Sequence, residues 1–212
     1  MGKDAEPNKS TRIFAFTDCH ASKPIIQHAK TASENCDMVI CCGDFTIFGN
    51  AASNILKEFN SFGKPFMIIH GNHESESEIE KLCRPHKNLH FIHKSSFLLG
   101  NLEIFGFGGG GFSLRDAEFI ETAKKFLPKM RENNKKGIKN ILITHGPPYG
   151  TKLDDLYRNI FCGNRDYTDF IKKAPLSIYM CGHIHENFGK SDSINGKIIL
   201  NPGPKGKRIT IS

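Results

Sequence analysis

Five short apolar runs in this chain each end on a small group of Asp, Asn or His. No other feature constrains the fold as much. Arg12–Thr17 leads into Asp18-Cys19-His20, and Met38–Cys42 into Gly43-Asp44. Pro65–His70 leads into Gly71-Asn72-His73-Glu74, Asn140–Thr144 into His145-Gly146, and Ser177–Cys181 into Gly182-His183-Ile184-His185. Each run reads as a strand. In an open α/β sheet the loops at the carboxyl ends of the strands converge on one crevice, so residues far apart in sequence can meet in one site. The spacers agree with this. Lys23–Ser33, Ala51–Phe62 and Ser75–Cys83 carry helical patterns between the first strands, the rhythm of a layered α/β domain with mainly parallel strands.

The middle of the chain changes character. Leu89–Ile92, Ser95–Leu99 and Leu102–Phe107 read as consecutive short strands, broken by the run Gly108–Gly111. A charged helix is predicted over Arg115–Asn133, with Pro128 placed to kink or end it early. The last third holds a helix over Tyr167–Lys173 and strands at Asn187–Ser191, Lys197–Leu200 and Arg208–Ile211, with Asn195-Gly196 as a hairpin turn. The expected architecture is a four-layer α/β/β/α sandwich with two facing mixed sheets. It forms a single domain over residues 11–212, after a flexible N-terminal lead of residues 1–10.

Composition narrows the function. No apolar stretch approaches the roughly 20 residues needed to span a bilayer. Met1–Ser10 is polar and lacks the apolar core of a signal peptide, so the expected location is cytoplasmic and no membrane partner is expected. The seven cysteines are odd in number and include no C-x-x-C pair, which argues against a disulfide framework or a thiolate zinc site. Cys19, between two candidate ligands, reads as a packing residue. A net charge of +7 could attract a polyanion. Its lysines are scattered without an aromatic run, however, so solvated faces are favoured over a nucleic-acid groove.

The candidate ligands carry oxygen and nitrogen donors only. Asp18 and His20 are two residues apart, as are His183 and His185, and in extended backbone such pairs face one side. Asp44 has two carboxylate oxygens and can bridge two ions, Asn72 offers a carbonyl oxygen, and His145 adds a nitrogen. Seven side chains are too many for one ion and suit two ions sharing a bridge. That arrangement clamps the attacking and leaving oxygens of an in-line displacement at phosphorus. The donor set favours Mn, Fe, Zn, Ni or Co over copper(I) or iron–sulfur, and manganese is the ion expected. No G-x-S-x-G elbow is present, so no covalent intermediate is needed. The expected nucleophile is a hydroxide bridging the metals.

These blocks resemble the calcineurin-like metallophosphoesterase superfamily. Its D-x-H, GD, GNH-[DE], H and GHxH signature is present in order from Asp18 to His185. The resemblance implies that Asp18, His20, Asp44 and His185 hold one metal, and Asp44, Asn72, His145 and His183 the other. It further implies that His73 contacts the phosphate, as does Asn72, and helps protonate the leaving group. The stretch Thr144–Asp154, together with Cys181–Glu186 and Asn201-Pro202-Gly203, is similar to the small, capless bacterial and archaeal members. Phe45-Thr46 stands where protein phosphatases carry Asp-Arg-Gly, which points away from phosphoprotein substrates and toward small phosphodiesters. A nuclease is the alternative, and a non-catalytic scaffold of the same fold a weaker one.

His28, His86, His90 and His93 read as surface or partly buried histidines, and His70 as a packing residue beside the site. Gly108–Gly111 could cradle a phosphate with backbone N–H groups or form a flexible loop. Lys152, Asp154, Arg158 and Arg165 could touch a substrate, with solvent exposure the plainer expectation. Oligomeric state is not legible.

Overall fold

The structure is a computed structural model that describes residues 10–158 and 160–212. The expected N-terminal lead therefore falls, except for Ser10, outside the described residues. The chain begins β1 (Thr11–Phe16), α1 (Lys23–Ala32), β2 (Met38–Cys41), α2 (Ala52–Asn60), β3 (Phe66–Ile68), α3 (Glu76–Cys83) and β4 (Leu89–Phe91). It continues through β5 (Ser95–Leu99), β6 (Leu102–Phe107), α4 (Ala117–Lys135), β7 (Lys139–Thr144), β8 (Asp155–Tyr157) and β9 (Ile160–Phe161). The last elements are α5 (Arg165–Lys173), β10 (Ile178–Met180), a 3-10 turn (His185–Asn187), β11 (Ser191–Ile194), β12 (Lys197–Leu200) and β13 (Lys207–Ile211).

One sheet has the order β13-β1-β2-β3-β4 and the other β11-β12-β10-β7-β6-β5. Both are mixed. β1 to β4 run parallel with β13 antiparallel at the edge. β6, β7, β10 and β12 run parallel between antiparallel edges β5 and β11. Side chains alternate across each strand, and this sorts the core into three layers. Along β1, Ile13 and Ala15 face the other sheet while Phe14 and Phe16 face α1 and α2. Along β7, Ile141 and Ile143 face inward and Leu142 faces α4 and α5. The inter-sheet layer is mainly aliphatic, with Met38, Ile40, Met67, Ile104 and Met180, whereas both helix-facing layers are rich in Phe, joined in the second by Tyr167 and Tyr179. Strands buried on both faces read as continuous apolar runs, which is why the five runs stood out.

Three expectations are corrected. The helix expected over Arg115–Asn133 starts at Ala117, where the Asp116 carboxylate accepts from Phe119 N–H at 2.9 Å, and it passes Pro128 to reach Lys135. Pro128 frees the carbonyl of Lys124, but both residues lie on the solvent face, where water can satisfy it. Phe119, Phe126 and Met130 anchor the helix on the buried side. The helix expected from Tyr167 begins at Arg165, because Asn164 Oδ1 accepts from Asp166 and Tyr167 N–H. The strand expected at Asn187–Ser191 is instead a 3-10 turn followed by β11. Asn187 is buried with its amide on Asp155 O, and Gly189 turns the chain at φ +78°. The Asn195-Gly196 hairpin forms with both residues left-handed, at φ 50° and 76°. The β8–β9 hairpin was not anticipated.

Candidate metal centre

The loops after β1, β2, β3, β7 and β10 meet at one end of the facing sheets. Backbone hydrogen bonds knit them together. Asp18 N–H donates to Gly43 O at 3.0 Å, His20 N–H to Asp44 O at 3.1 Å, and Gly182 N–H to His145 O at 2.8 Å. The crossing of the second and third loops requires glycine. A Cβ on Gly71 would lie 2.0 Å from Asp44 Oδ1, and one on Gly43 would lie 2.7 Å from Gly71 N.

Glu74 organises this crossing, a role the sequence reading did not assign. Its carboxylate is buried and accepts four hydrogen bonds: Gly71 N–H (2.8 Å), Asp44 N–H (3.0 Å), Thr46 N–H (2.8 Å) and Thr46 Oγ1 (2.7 Å). Burial raises its pKa against these bonds. The sequence signal was present, since Glu74 follows Asn72-His73 directly, but an acid at a helix N-terminus is common for other reasons.

All seven candidate ligands converge. The donor atoms of Asp18, His20 and His185 form one group and those of Asp44, His145 and His183 another, each within 4.8 Å. Asp44 also groups with His20 and His73, so it lies between the two clusters. Convergence does not come from extended backbone, as had been expected. Asp18 (φ 51°), His20 (φ 41°), Asp44 (φ 49°) and His183 (φ 71°) are all left-handed. Strain of this kind costs on the order of 1–3 kcal/mol per residue and gathers at functional sites.

Tautomers follow from the hydrogen bonds. His145 Nδ1 faces Cys42 O at 2.9 Å and must carry a proton. Its Nε2 then points a lone pair at Asn72 Oδ1 (3.0 Å) and Asp44 Oδ2 (3.3 Å). Three acceptors facing one another need a cation or a proton between them. Burial opposes charge on His145, yet the Asp44 carboxylate raises its pKa to about 9. Asp44 is held down to about 2 against the effect of its own burial, chiefly by His145. His20 Nδ1 likewise faces Thr46 O at 3.2 Å, leaving Nε2 to meet His185 Nε2 at 3.3 Å. His185 Nε2 lies 3.6 Å from Asp18 Oδ1, and that carboxylate raises its pKa. His183 Nε2 is buried without a hydrogen-bond partner, and burial lowers its pKa to about 4. A divalent cation fits both clusters, because carboxylate oxygens and imidazole lone pairs face one another in each, and His183 Nε2 has no hydrogen-bond donor to satisfy it.

His73 is oriented differently. Its backbone N–H donates to Asp44 Oδ1 at 2.9 Å, and its ring stacks on Phe48 at 4.4 Å. Nδ1 accepts from Phe48 N–H at 3.4 Å, which puts the ring proton on Nε2, 3.9 Å from Asp44 Oδ2. These donors open on a cavity of about 520 Å³, also lined by Ile47, Phe112, Leu156, Ile184 and Glu186.

The remaining candidates lie elsewhere. Asp154 is fully buried rather than exposed. It accepts from Gly150, Thr151 and Gly163 N–H and so braces the loop after β7. Arg165 lies over Tyr149 at 3.8 Å, Arg158 over Tyr157 at 5.0 Å, and Lys152 is exposed. Gly108 and Gly109 spend their N–H groups on His93 Nδ1 and His70 O. A Cβ on Gly108 would strike His70, so the run is glycine because it passes close over that ring. His70 and His93 are buried and group with Glu76. His28 bonds Lys205 O, and His90 packs on Phe97. All seven cysteines are free, and Cys19 is buried in the layer facing the helices.

The calcineurin-like phosphoesterase profile matches residues 11–187, a span that includes every converging side chain. The chain belongs to that family. It is therefore a hydrolase of phosphoester bonds that works with divalent metal ions. It is similar to the uncharacterized protein MJ1162 of Methanocaldococcus jannaschii, with 29% identity over 204 residues, 93% of this chain and 90% of that protein. The fold is shared with TT1561 of Thermus thermophilus, at a TM-score of 0.71 and 12% identity over 96% of this chain and 99% of that one. It is also shared with a dimetal phosphatase from Danio rerio, at a TM-score of 0.66 and 9% identity over 90% and 86%. No helix among the described residues is long and apolar enough to cross a membrane.

Proposed function

We propose that this family member is a dinuclear enzyme that hydrolyses small phosphodiesters. The observation that carries the reading is the pair of adjoining donor clusters, with Asp44 of one also grouped with His20 of the other. Asp18, His20, Asp44 and His185 would hold one ion, and Asp44, Asn72, His145 and His183 the other. Ions bound there supply a lowered pKa for water and neutralise charge on the phosphoryl oxygens. The chain's residues do the rest. Asp44 sets its carboxylate within reach of both clusters, and Glu74 fixes the loop that carries it. Cys42 O and Thr46 O hold the His145 and His20 rings so that Nε2 faces inward. His73, with its proton on Nε2, is placed to donate to the departing oxygen. Asn72 and His73 also border the space a phosphate would fill.

Manganese is the ion we propose, and nitrogen and oxygen donors without thiolate are equally compatible with iron, zinc, nickel or cobalt. We read residues 11–212 as one catalytic domain acting in the cytoplasm on a small-molecule substrate, with no nucleic acid or membrane required. Phe45-Thr46 follows Asp44 at the place where an arginine would grip a phosphoprotein. The test is a panel of substrates on the manganese-loaded protein. An aryl diester should turn over faster than the aryl monoester, and a preference for phosphopeptides or DNA would overturn the assignment.

A further inference from the structure

Beside the donors, the cavity lining carries apolar side chains and no cation. Ile47, Phe112 and Leu156 line it, and Glu186 is the one charged lining residue that is not a donor candidate. No Lys or Arg lies among the lining residues. All three apolar side chains are solvent-exposed, Phe112 by 67%. Large apolar groups left exposed around one cavity mark a surface that is covered when a ligand is present. Each comes from a different loop. Ile47 follows Asp44, Leu156 sits on the β8–β9 hairpin, and Phe112 follows the glycine run. That run is built to carry Phe112. Gly108 and Gly109 are tied down by His93 and His70, and Gly109, Gly110 and Gly111 then turn at φ 75°, 94° and 107°. The result is the Phe112 ring set edge-on against His183, with centroids 4.7 Å apart.

Charge selects the ligand further. A phosphomonoester carries up to two negative charges, and a diphosphate linkage also carries two. With no cation on the wall, charge beyond a single phosphodiester anion has only the donor clusters' ions to meet it, and it would face Glu186. We infer that Phe112, Ile47 and Leu156 form a subsite for a flat aromatic substituent on a singly charged phosphodiester. This inference rests on the phosphodiesterase reading above and narrows it, favouring aryl or nucleobase-bearing diesters over dinucleoside polyphosphates. An aromatic ring seated against Phe112 gains edge or offset contact in addition to its area.

The test uses phosphinates, which carry one charge and no cleavable ester. Dibenzylphosphinate and dimethylphosphinate are titrated calorimetrically into the manganese-loaded protein. Dibenzylphosphinate should bind about tenfold tighter or more, a difference of ~1.4 kcal/mol. Phe112→Ala and, separately, Leu156→Ala should each shrink that ratio at least about threefold. Equal binding of the two phosphinates, or a ratio untouched in both variants, overturns the subsite. So does equal binding of bis(cyclohexylmethyl)phosphinate, which is apolar but not aromatic. Turnover of methyl 4-nitrophenyl phosphate tests the underlying reading separately. If it proceeds while the phosphinates bind alike, the subsite alone is wrong; if no diester turns over, the phosphodiesterase reading is wrong.

Discussion

Replacing His73 by alanine separates binding from chemistry. The structure attaches His73 to the site in two ways that do not depend on each other. Its backbone N–H donates to Asp44 Oδ1 at 2.9 Å, and this bond survives any substitution except proline. Its side chain stacks on exposed Phe48 and accepts from Phe48 N–H. The variant should therefore keep Asp44 in place and lose only a partly exposed stacking contact, worth about 1 kcal/mol or less. Metal content should stay at wild-type stoichiometry. A general acid contributes typically 10²–10⁴-fold, equivalent to about 2.7–5.4 kcal/mol of barrier. That loss should fall on kcat and grow with the pKa of the leaving group, being small for 4-nitrophenolate and near the full range for an alkoxide. The assay is elemental analysis of the purified variant together with rates on a series of diesters differing only in leaving group. Loss of an ion would make His73 a ligand, as its grouping with His20 and Asp44 allows. Equal slowing of every ester would refute proton donation and leave an electrostatic role.

Asp44→Asn removes the carboxylate proposed to serve both ions, so metal stoichiometry should fall at both positions and activity should be undetectable after dialysis. Turnover that survives rigorous chelation would refute metal dependence. Glu74→Gln turns one acceptor oxygen into an N–H₂ facing existing donors, which should cost roughly 2–4 kcal/mol of stability and weaken metal binding, read by denaturant melts and metal titration. An unchanged melt would refute the bracing role. Burial lowers His93 to about 3, with His70 and Lys94 adding to the effect, and lowers His70 to about 4. Folded pKa values below the usual 6.5 mean that the unfolded chain binds these protons more readily. Stability is then full above about pH 6.5 and falls as pH drops toward 3–4. Melts of chelated His93→Gln should show a shallower decline over that window, and a slope identical to wild type would refute the assignment.

The five apolar runs were legible because strands buried between two layers have few polar positions to blur them. The converging side chains were legible because each sits just after such a run. Other features were hidden for identifiable reasons. The Arg12–Thr17 run announces a strand but not the left-handed turn at Asp18 and His20, since that turn is imposed by hydrogen bonds to Gly43 and Asp44, distant in sequence. Pro128 looked like a helix end because local propensity carries no information about which face is wet. Asp154 looked like a surface acid among Lys152 and Asp155, and its burial depends on Gly163 returning beside it. Asn187–Ser191 read as strand, but the polar amide of Asn187 is what fixes the turn there.

The converging side chains are divided between the two sheets. Asp18, His20, Asp44, Asn72 and His73 follow strands of the first, while His145, His183 and His185 follow strands of the second. Below them, the layer between the sheets is mainly aliphatic, with side chains such as Ile40 and Ile143, and such contacts have no direction and do little to set register. A cation shared by Asp44 and His145 would act as a rivet across that seam. Docking of the sheets and metal loading then become a single linked equilibrium. A cavity cut far from the loops, for example by Ile143→Ala, would be felt as weaker metal retention. Conversely, metal in the medium would raise the force or temperature needed to part the two sheets.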